Sequence, residues 1–275
     1  MDKKTFLETI ETELAISKNS VYTLRNYLDA NNKLLEFTKK DPEEINVEDV
    51  KKFLINRMQD AKASSTILFL AAIKFAYLLV FHKDITVSIK RPKKEKNLPQ
   101  VLSKREVKLL LNSIPNQKSK LMLSLIYACG LRVSELTNLK IKDLNFEEKI
   151  GKINQAKGKK DRIFNIPSFL EEDLQDQVKK QRKFEKEFLF TGPKGQLSTR
   201  NIQKIVRKAA QKSGLPSEVH THTLRHSFAT HLLENDVDIR KIQELLGHSS
   251  ISTTEIYTHI STQELKKIKS PIDSL

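Results

Sequence analysis

The sequence predicts a mainly α-helical protein: an N-terminal helical bundle, then a larger, mostly helical domain carrying a small three-stranded antiparallel sheet. Three observations predict it. The 275 residues hold only 7 glycines and 8 prolines, so long stretches run without punctuation. Apolar residues recur at helical spacing through most of the chain. One window, residues 141–166, breaks that spacing with short β-type runs. At roughly 150 residues per domain the length fits one or two domains, and a 38% hydrophobic content supplies each with a core.

Residues 1–89 read as several helices. Leu24, Tyr27, Leu28, Leu34, Leu35 and Phe37 mark one face, and Val50, Phe53, Leu54 and Met58 another after Pro42 breaks the chain. The most apolar run, Thr66 to Phe81, has Lys74 in its middle and falls short of the about 20 residues a bilayer span needs. A buried core helix is expected there, and no membrane partner. Residues 90–99, KRPKKEKNLP, hold five basic residues, one acid and two prolines, a composition that resists burial and extends the backbone. We place the linker there, which leaves 100–275 as the second domain.

The second domain opens with Ser103-Lys-Arg-Glu106, a capping-box pattern ahead of a leucine run, and continues into an apolar helix over 120–129. The sheet comes next. Its runs are Ile141, Leu144 and Phe146, then Ile150 and Ile153, then Ile163, Phe164 and Ile166, separated by Gly151 and by the Lys157–Asp161 turn. From Ser198 onward the spacing is helical again, with Gly214 and Gly247 as helix stops. No internal repeat is evident.

Charge narrows the partner. Forty-nine basic residues against 34 acidic ones give a formal net charge of +15 and a pI near 9.6, which predicts an anionic partner without choosing among nucleic acid, membrane surface and acidic protein. Up to residue 96 there are 18 basic and 14 acidic residues, and 31 and 20 follow, so most of the excess belongs to the second domain. A single cysteine, Cys129, excludes an intramolecular disulfide framework and a cysteine zinc knuckle, and fits a reducing compartment. The charged N-terminus has no apolar signal region, so secretion is not expected.

Four segments place phosphate donors or proton carriers beside structural punctuation. In Gly130-Leu-Arg132-Val-Ser-Glu135, the arginine and the acid are i and i+3 on one helical face, where Glu135 can hold the guanidinium; an ordinary surface ion pair has the same spacing. Lys157-Gly158 marks a turn. His220, His222 and His226 are spaced like metal ligands, yet the interval Thr-Leu-Arg225 puts a cation where a helical zinc site carries a glutamate. Phosphate binding by Arg225 with proton transfer by His222 is the more coherent chemistry, and plain capping or core histidines are the bland alternative. Tyr257 follows Ser252-Thr-Thr-Glu255, a second capping-box pattern that places it in the first turns of a short helix. An isolated tyrosine is more often a packing residue than a nucleophile.

Taken together, GLRVSEL (130–136), Lys157 in AKGKKDR, HTLRHSFATHLL (222–233) and LGHSSISTTEIYTH (246–259), in that order and spacing, resemble the tyrosine recombinase (phage integrase) family, specifically its Xer type. The N-terminal segments NSVYTLRNYLDANNKLLEF and SSTILFLAAIKFAYLLV resemble the family's core-binding domain less specifically. The resemblance implies DNA cleavage and rejoining without metal, ATP or other cofactor. It implies Tyr257 as the nucleophile that forms a 3′-phosphotyrosyl link, Arg132 and Arg225 on the non-bridging phosphate oxygens, and Lys157 protonating the 5′ leaving oxygen. His222 becomes the general base, His248 a further hydrogen-bond donor, and Glu135 the support of Arg132. Two guanidinium groups and an ammonium then supply the charge that Mg²⁺ supplies at other phosphoryl-transfer sites.

The resemblance further implies a double-stranded DNA partner with a specific recombination site, clamped by both domains, with Lys93, Lys94, Lys96, Lys159 and Lys160 near phosphates. Four protomers would act on two duplexes, the segment 262–269 docking on a neighbouring copy or else back on its own domain. The implied task is chromosome dimer resolution on the cytoplasmic nucleoid. Integration or resolution of a plasmid or mobile element, and a non-catalytic architectural DNA-binding role, are the alternatives.

Overall fold

The computed structural model describes residues 1–59, 61–93, 98–154, 161–248 and 250–257. The chain divides into two compact units, Met1–Asn97 and Leu98–Leu275.

The first unit is all helical. α1 (Lys3–Ile16) starts where Asp2 accepts from the Thr5 amide, and α2 (Val21–Thr38) where Ser20 accepts from Thr23. Each side chain satisfies an amide that the helix itself leaves unpaired. Pro42 opens a single 3₁₀ turn, Pro42–Glu44, and α3 (Val47–Arg57) begins with a reciprocal capping box between Asn46 and Asp49. α4 (Ala63–Phe81) begins three residues before the apolar run and reaches 19 residues, long and apolar enough by length and composition to cross a membrane. In the fold, its Phe69, Leu70, Ile73 and Tyr77 instead join Phe6, Ile10, Leu34 and Phe53 in one core. Phe53 and Phe69 stack there with ring centroids 4.6 Å apart.

The second unit opens with α5 (Lys104–Asn112), whose capping box joins Ser103 and Glu106 as its sequence pattern predicts. α6 (Gln117–Cys129) ends on Gly130 in the left-handed conformation, and α7 (Val133–Asn138) follows at once. The sheet is antiparallel in the order β1 (Leu144–Asn145), β2 (Ile150–Ile153), β3 (Arg162–Asn165). α8 (Ser168–Lys183), a two-stranded hairpin of β4 (Thr191–Gly192) and β5 (Gly195–Gln196), and α9 (Thr199–Lys212) come next. α10 (Thr221–Leu233), α11 (Ile239–Leu246) and α12 (Ser252–Glu255) complete the described elements. α6 lies in the core, with Leu123, Leu125 and Ile126 buried among Leu110, Leu174, Ile202 and Leu224.

Three details differ from the sequence expectation. Ile141 belongs to a 3₁₀ turn, Ile141–Asp143, which reaches the sheet from α7. In β3 the inward positions are Arg162 and Phe164, and Ile163 faces solvent at 54% exposure, because side chains alternate along a strand and Phe164 fixes the register. The Ser252–Glu255 pattern does not mark the N-cap. Ile251 is the N-cap, its carbonyl accepting from the Thr254 and Glu255 amides, and Tyr257 lies just past the C-cap Ile256 rather than in the first turns.

Candidate active site

Helix ends build the site. An α-helix leaves its last carbonyls without intrahelical partners and carries partial negative charge there. α6 ends at Gly130 and α11 at Gly247, and the carbonyls at these two ends receive guanidinium groups. Arg225 on α10 donates to Gly130 O at 2.5 Å and to Leu246 O at 2.6 Å. Arg132, the N-cap residue of α7, donates to Gly247 O at 3.3 Å. Arg162 on β3 donates to Leu245 O and, at 3.4 Å, to Gly130 O. Glycine is required at both ends. Gly130 and Gly247 have φ of +58° and +60°, and a Cβ on them would stand 2.5 Å from Phe228 Cδ1 and 2.7 Å from Arg162 Cδ.

Glu135 sits among the three cations. Its Oε1 accepts from Arg132 Nη1 at 2.7 Å and its Oε2 from Arg162 Nη2 at 2.7 Å, while Arg225 Nη1 is 3.8 Å away. Oε2 also accepts from the Arg132 amide at 2.8 Å, so the acid caps α7 while it holds the side chain that opens it. Burial alone would push this carboxyl up; Arg162 above all, with Arg132 and Arg225, holds it below the usual carboxylate range. Burial and then the neighbouring Arg132 pull the Arg225 guanidinium down, while Glu135 opposes them. Three guanidiniums against one carboxylate leave a surplus of positive charge, the condition for holding an anion.

The histidines and the tyrosine stand beside that cluster. Tyr257 is buried against Ala229, Leu233, Ile242 and Leu246, and its hydroxyl is 3.0 Å from His226 Nδ1. Burial raises its pKa, and Arg225 and Arg132 are near enough to work the other way. His248 follows α11, its Nδ1 2.9 Å from the hydroxyl of Thr254, three residues before Tyr257. His248 is drawn down to about 4 by burial first and then by Arg225 and Arg132. His222 reaches solvent, yet burial of part of its ring, followed by His220, Arg225 and Arg132, lowers its pKa, and among the described residues it makes no hydrogen bond.

The structure thus gathers Arg132, Glu135, His222, Arg225, His248 and Tyr257 within one electrostatic neighbourhood. Lys93 is exposed in the first unit. Lys94, Lys96, Lys157, Lys159, Lys160 and the segment 262–269 lie outside the described residues. Sequence reasoning missed Arg162, which shares Glu135 with Arg132, and Thr254, which holds His248. The alternation in Arg162-Ile-Phe-Asn carried a signal for the first, since with Phe164 inside, Arg162 is inside too. His226 entered that reading only as a metal-ligand alternative, and the fold gives it the Tyr257 hydroxyl instead.

Comparison with known proteins gives the family. Residues 100–264 match the phage integrase family, and residues 4–80 match the SAM-like N-terminal domain of phage integrases. Tyrosine recombinase XerA of Thermococcus kodakarensis is 37% identical over 268 residues, covering 95% of this chain and 93% of that protein. Tyrosine recombinase XerD of Listeria monocytogenes is 35% identical over 287 residues, covering 96% and 95%. Among solved structures, XerH site-specific recombinase bound to its difH substrate before cleavage superposes with a TM-score of 0.73 at 25% identity, over 91% of this chain and 79% of that one. By these matches across nearly its whole length, the chain belongs to the phage integrase family and is a tyrosine recombinase, an enzyme that cuts and rejoins DNA at specific sites.

Proposed function

We propose that this recombinase cleaves one DNA strand with the Tyr257 hydroxyl, forming a 3′-phosphotyrosyl bond and releasing a 5′-hydroxyl, and that a partner strand's 5′-hydroxyl reverses the step. The observation that supports it most is the placing of Tyr257 within electrostatic reach of both Arg132 and Arg225. The phosphodiester would lie on these two guanidiniums, which stabilise the charge of the pentavalent transition state, with His248 as a further donor. Glu135 keeps Arg132 aimed. Lys157 protonates the leaving 5′ oxygen and His222 is the general base, as the resemblance implies. The phosphotyrosyl bond conserves the energy of the phosphodiester, so rejoining needs no ATP.

Residues 1–89 act as a core-binding clamp, 90–99 as a basic linker and 100–275 as the catalytic domain. Lys93, Lys94, Lys96, Lys159 and Lys160 contact phosphates, and contact with even six phosphates sets a log-log salt slope near about −5. Four protomers assemble on two recombination sites, with 262–269 docking in trans. Chromosome dimer resolution on the nucleoid is the biological task, in keeping with relatives named as Xer recombinases along their whole length. A mobile-element integrase is the second reading, favoured by the phage integrase match itself.

A suicide duplex nicked near the site, incubated with the protein in EDTA and resolved on a denaturing gel, tests the chemistry. A covalent adduct is expected, absent in Tyr257→Phe while DNA binding remains. Binding without any adduct on every bound genomic fragment would leave an architectural protein, and loss of the adduct in EDTA would return the histidines to a metal.

A further inference from the structure

The side chain hydrogen-bonded to the tyrosine hydroxyl is His226, not His222. On α10 the rings of His222 and His226 lie one turn apart, 6.3 Å between centroids, and the His226 ring is 5.7 Å from that of Tyr257. The three rings form a row from the buried hydroxyl to exposed His222. We propose that His226, in place of the His222 that the resemblance implies, accepts the Tyr257 proton during cleavage, and that His222 hands it on to solvent.

The inference rests on Tyr257 being the nucleophile. With the ring hydrogen on Nε2, Nδ1 offers a lone pair to the tyrosine O–H over 3.0 Å, the reach a general base needs. As Oη attacks phosphorus, the O–H proton passes to Nδ1 and the Oη–P bond forms. The P–O5′ bond breaks, and O5′ takes its proton from the separate acid described above. On rejoining, the attacking 5′-hydroxyl gives its proton back to that separate acid as the O5′–P bond forms, the Oη–P bond breaks, and a proton taken up from solvent through His222 reaches Oη from His226, so one row serves both directions. His222, exposed and without a bond to the hydroxyl, becomes the outlet rather than the first acceptor.

The charges around His226 make this acceptor depend on substrate. His220, His222 and Arg225 on its own helix, His248 after α11 and Tyr257 face it. Burial first, then His222, His220 and Arg225, pull it down to about 4, so it is a neutral acceptor at pH 7. A phosphodiester anion on Arg225 offsets part of that repulsion and raises its basicity. The base is strengthened by the anion on which the tyrosine acts.

The test is single-turnover adduct formation at saturating protein on the nicked duplex, from pH 5 to pH 9. His226→Gln is expected to slow it by about 100-fold throughout that range with unchanged DNA affinity. The same deficit is expected on DNA with sulfur replacing the bridging 5′ oxygen, because a thiolate leaves without an acid and cures only leaving-group defects. Added imidazole should partly restore His226→Ala. Wild-type or faster cleavage by His226→Gln, full rescue by the sulfur substrate, or a lowered melting temperature with no imidazole rescue would each overturn the proposal. An adduct formed by Tyr257→Phe would sink the nucleophile assignment instead, and that result is read separately.

Discussion

In the first unit the buried acid Asp49 keeps a partner, Lys40, whose side chain is 40% exposed; in the second, Glu135 is held by Arg162, itself only 4% exposed, with two more arginines around it. Asp49 closes a capping box, so its job is local and solvent shares its charge. Glu135 instead ties α7 to β3 and, through the arginines, to the ends of α6 and α11. Ion pairs near water contribute little, whereas a buried pair that loses one member leaves an uncompensated charge. The first unit is therefore organised by its apolar core. The second is organised also by a charge cluster whose positive surplus suits a phosphate.

Removing each acid breaks this comparison most directly. Glu135→Ala strands Arg162 and Arg225 and is expected to cost about 3–5 kcal/mol in the second unit. Asp49→Ala removes a capping interaction and is expected to cost about 1 kcal/mol in the first. Calorimetry of the two variants, with the transitions assigned to each unit, checks both, and equal costs would deny the cluster its role.

Helix endings differ in the same way. The first unit ends α2 and α4 on Lys39 and His82, both left-handed, so a Cβ is accommodated there. The second ends α6 on Gly130, where a Cβ would meet Phe228. Gly130→Ala is expected to destabilise by about 2–4 kcal/mol, from the left-handed backbone and the overpacking together. Lys39→Gly should be neutral or mildly stabilising in chemical denaturation, since only strain is relieved.

Acid separates the units next. His226 and His248 sit near 4 in the folded chain, and Glu135 is depressed. A group whose folded pKa lies below its unfolded value stabilises above the unfolded value and loses that contribution as pH falls. From pH 7 to about 4.5 the unfolded histidines take up protons that the folded ones refuse, and the second unit should lose on the order of 2 kcal/mol. Below that, Glu135 adds to the loss. Melting curves at several pH values should show the second transition falling first, and a parallel fall of both would contradict the buried-histidine account.

Much of this was legible in the sequence, and the rest failed for physical reasons. The Ser103–Glu106 box, the i, i+3 pair Arg132–Glu135, the Gly247 stop and the three strands are local, and local chemistry decides them. Arg162 was not, because a strand's inward face depends on register and a one-residue slip exchanges the faces. The contact of His226 with Tyr257 joins residues 31 apart in sequence, a distance set by how α11 folds back on α10. The Ser252–Glu255 pattern misled because the backbone before it is already helical at Ile251, leaving Ser252 inside the turn.

The smallest effect is a control that sharpens the comparison. Both units carry a reciprocal capping box, Asn46 with Asp49 and Ser103 with Glu106. The two are chemically alike and neither belongs to the charge cluster around Glu135. Asn46→Ala and Ser103→Ala should each cost about 1 kcal/mol, because each frees helix amides that water then solvates. If the units differ in buried charge and not in helix stability, the two costs agree within a few tenths of a kcal/mol, and adduct formation by the folded variants stays at the wild-type rate. A Ser103→Ala cost approaching that of Glu135→Ala would mean that the second unit is marginal throughout, and its sensitivity to losing Glu135 would then say little about the cluster.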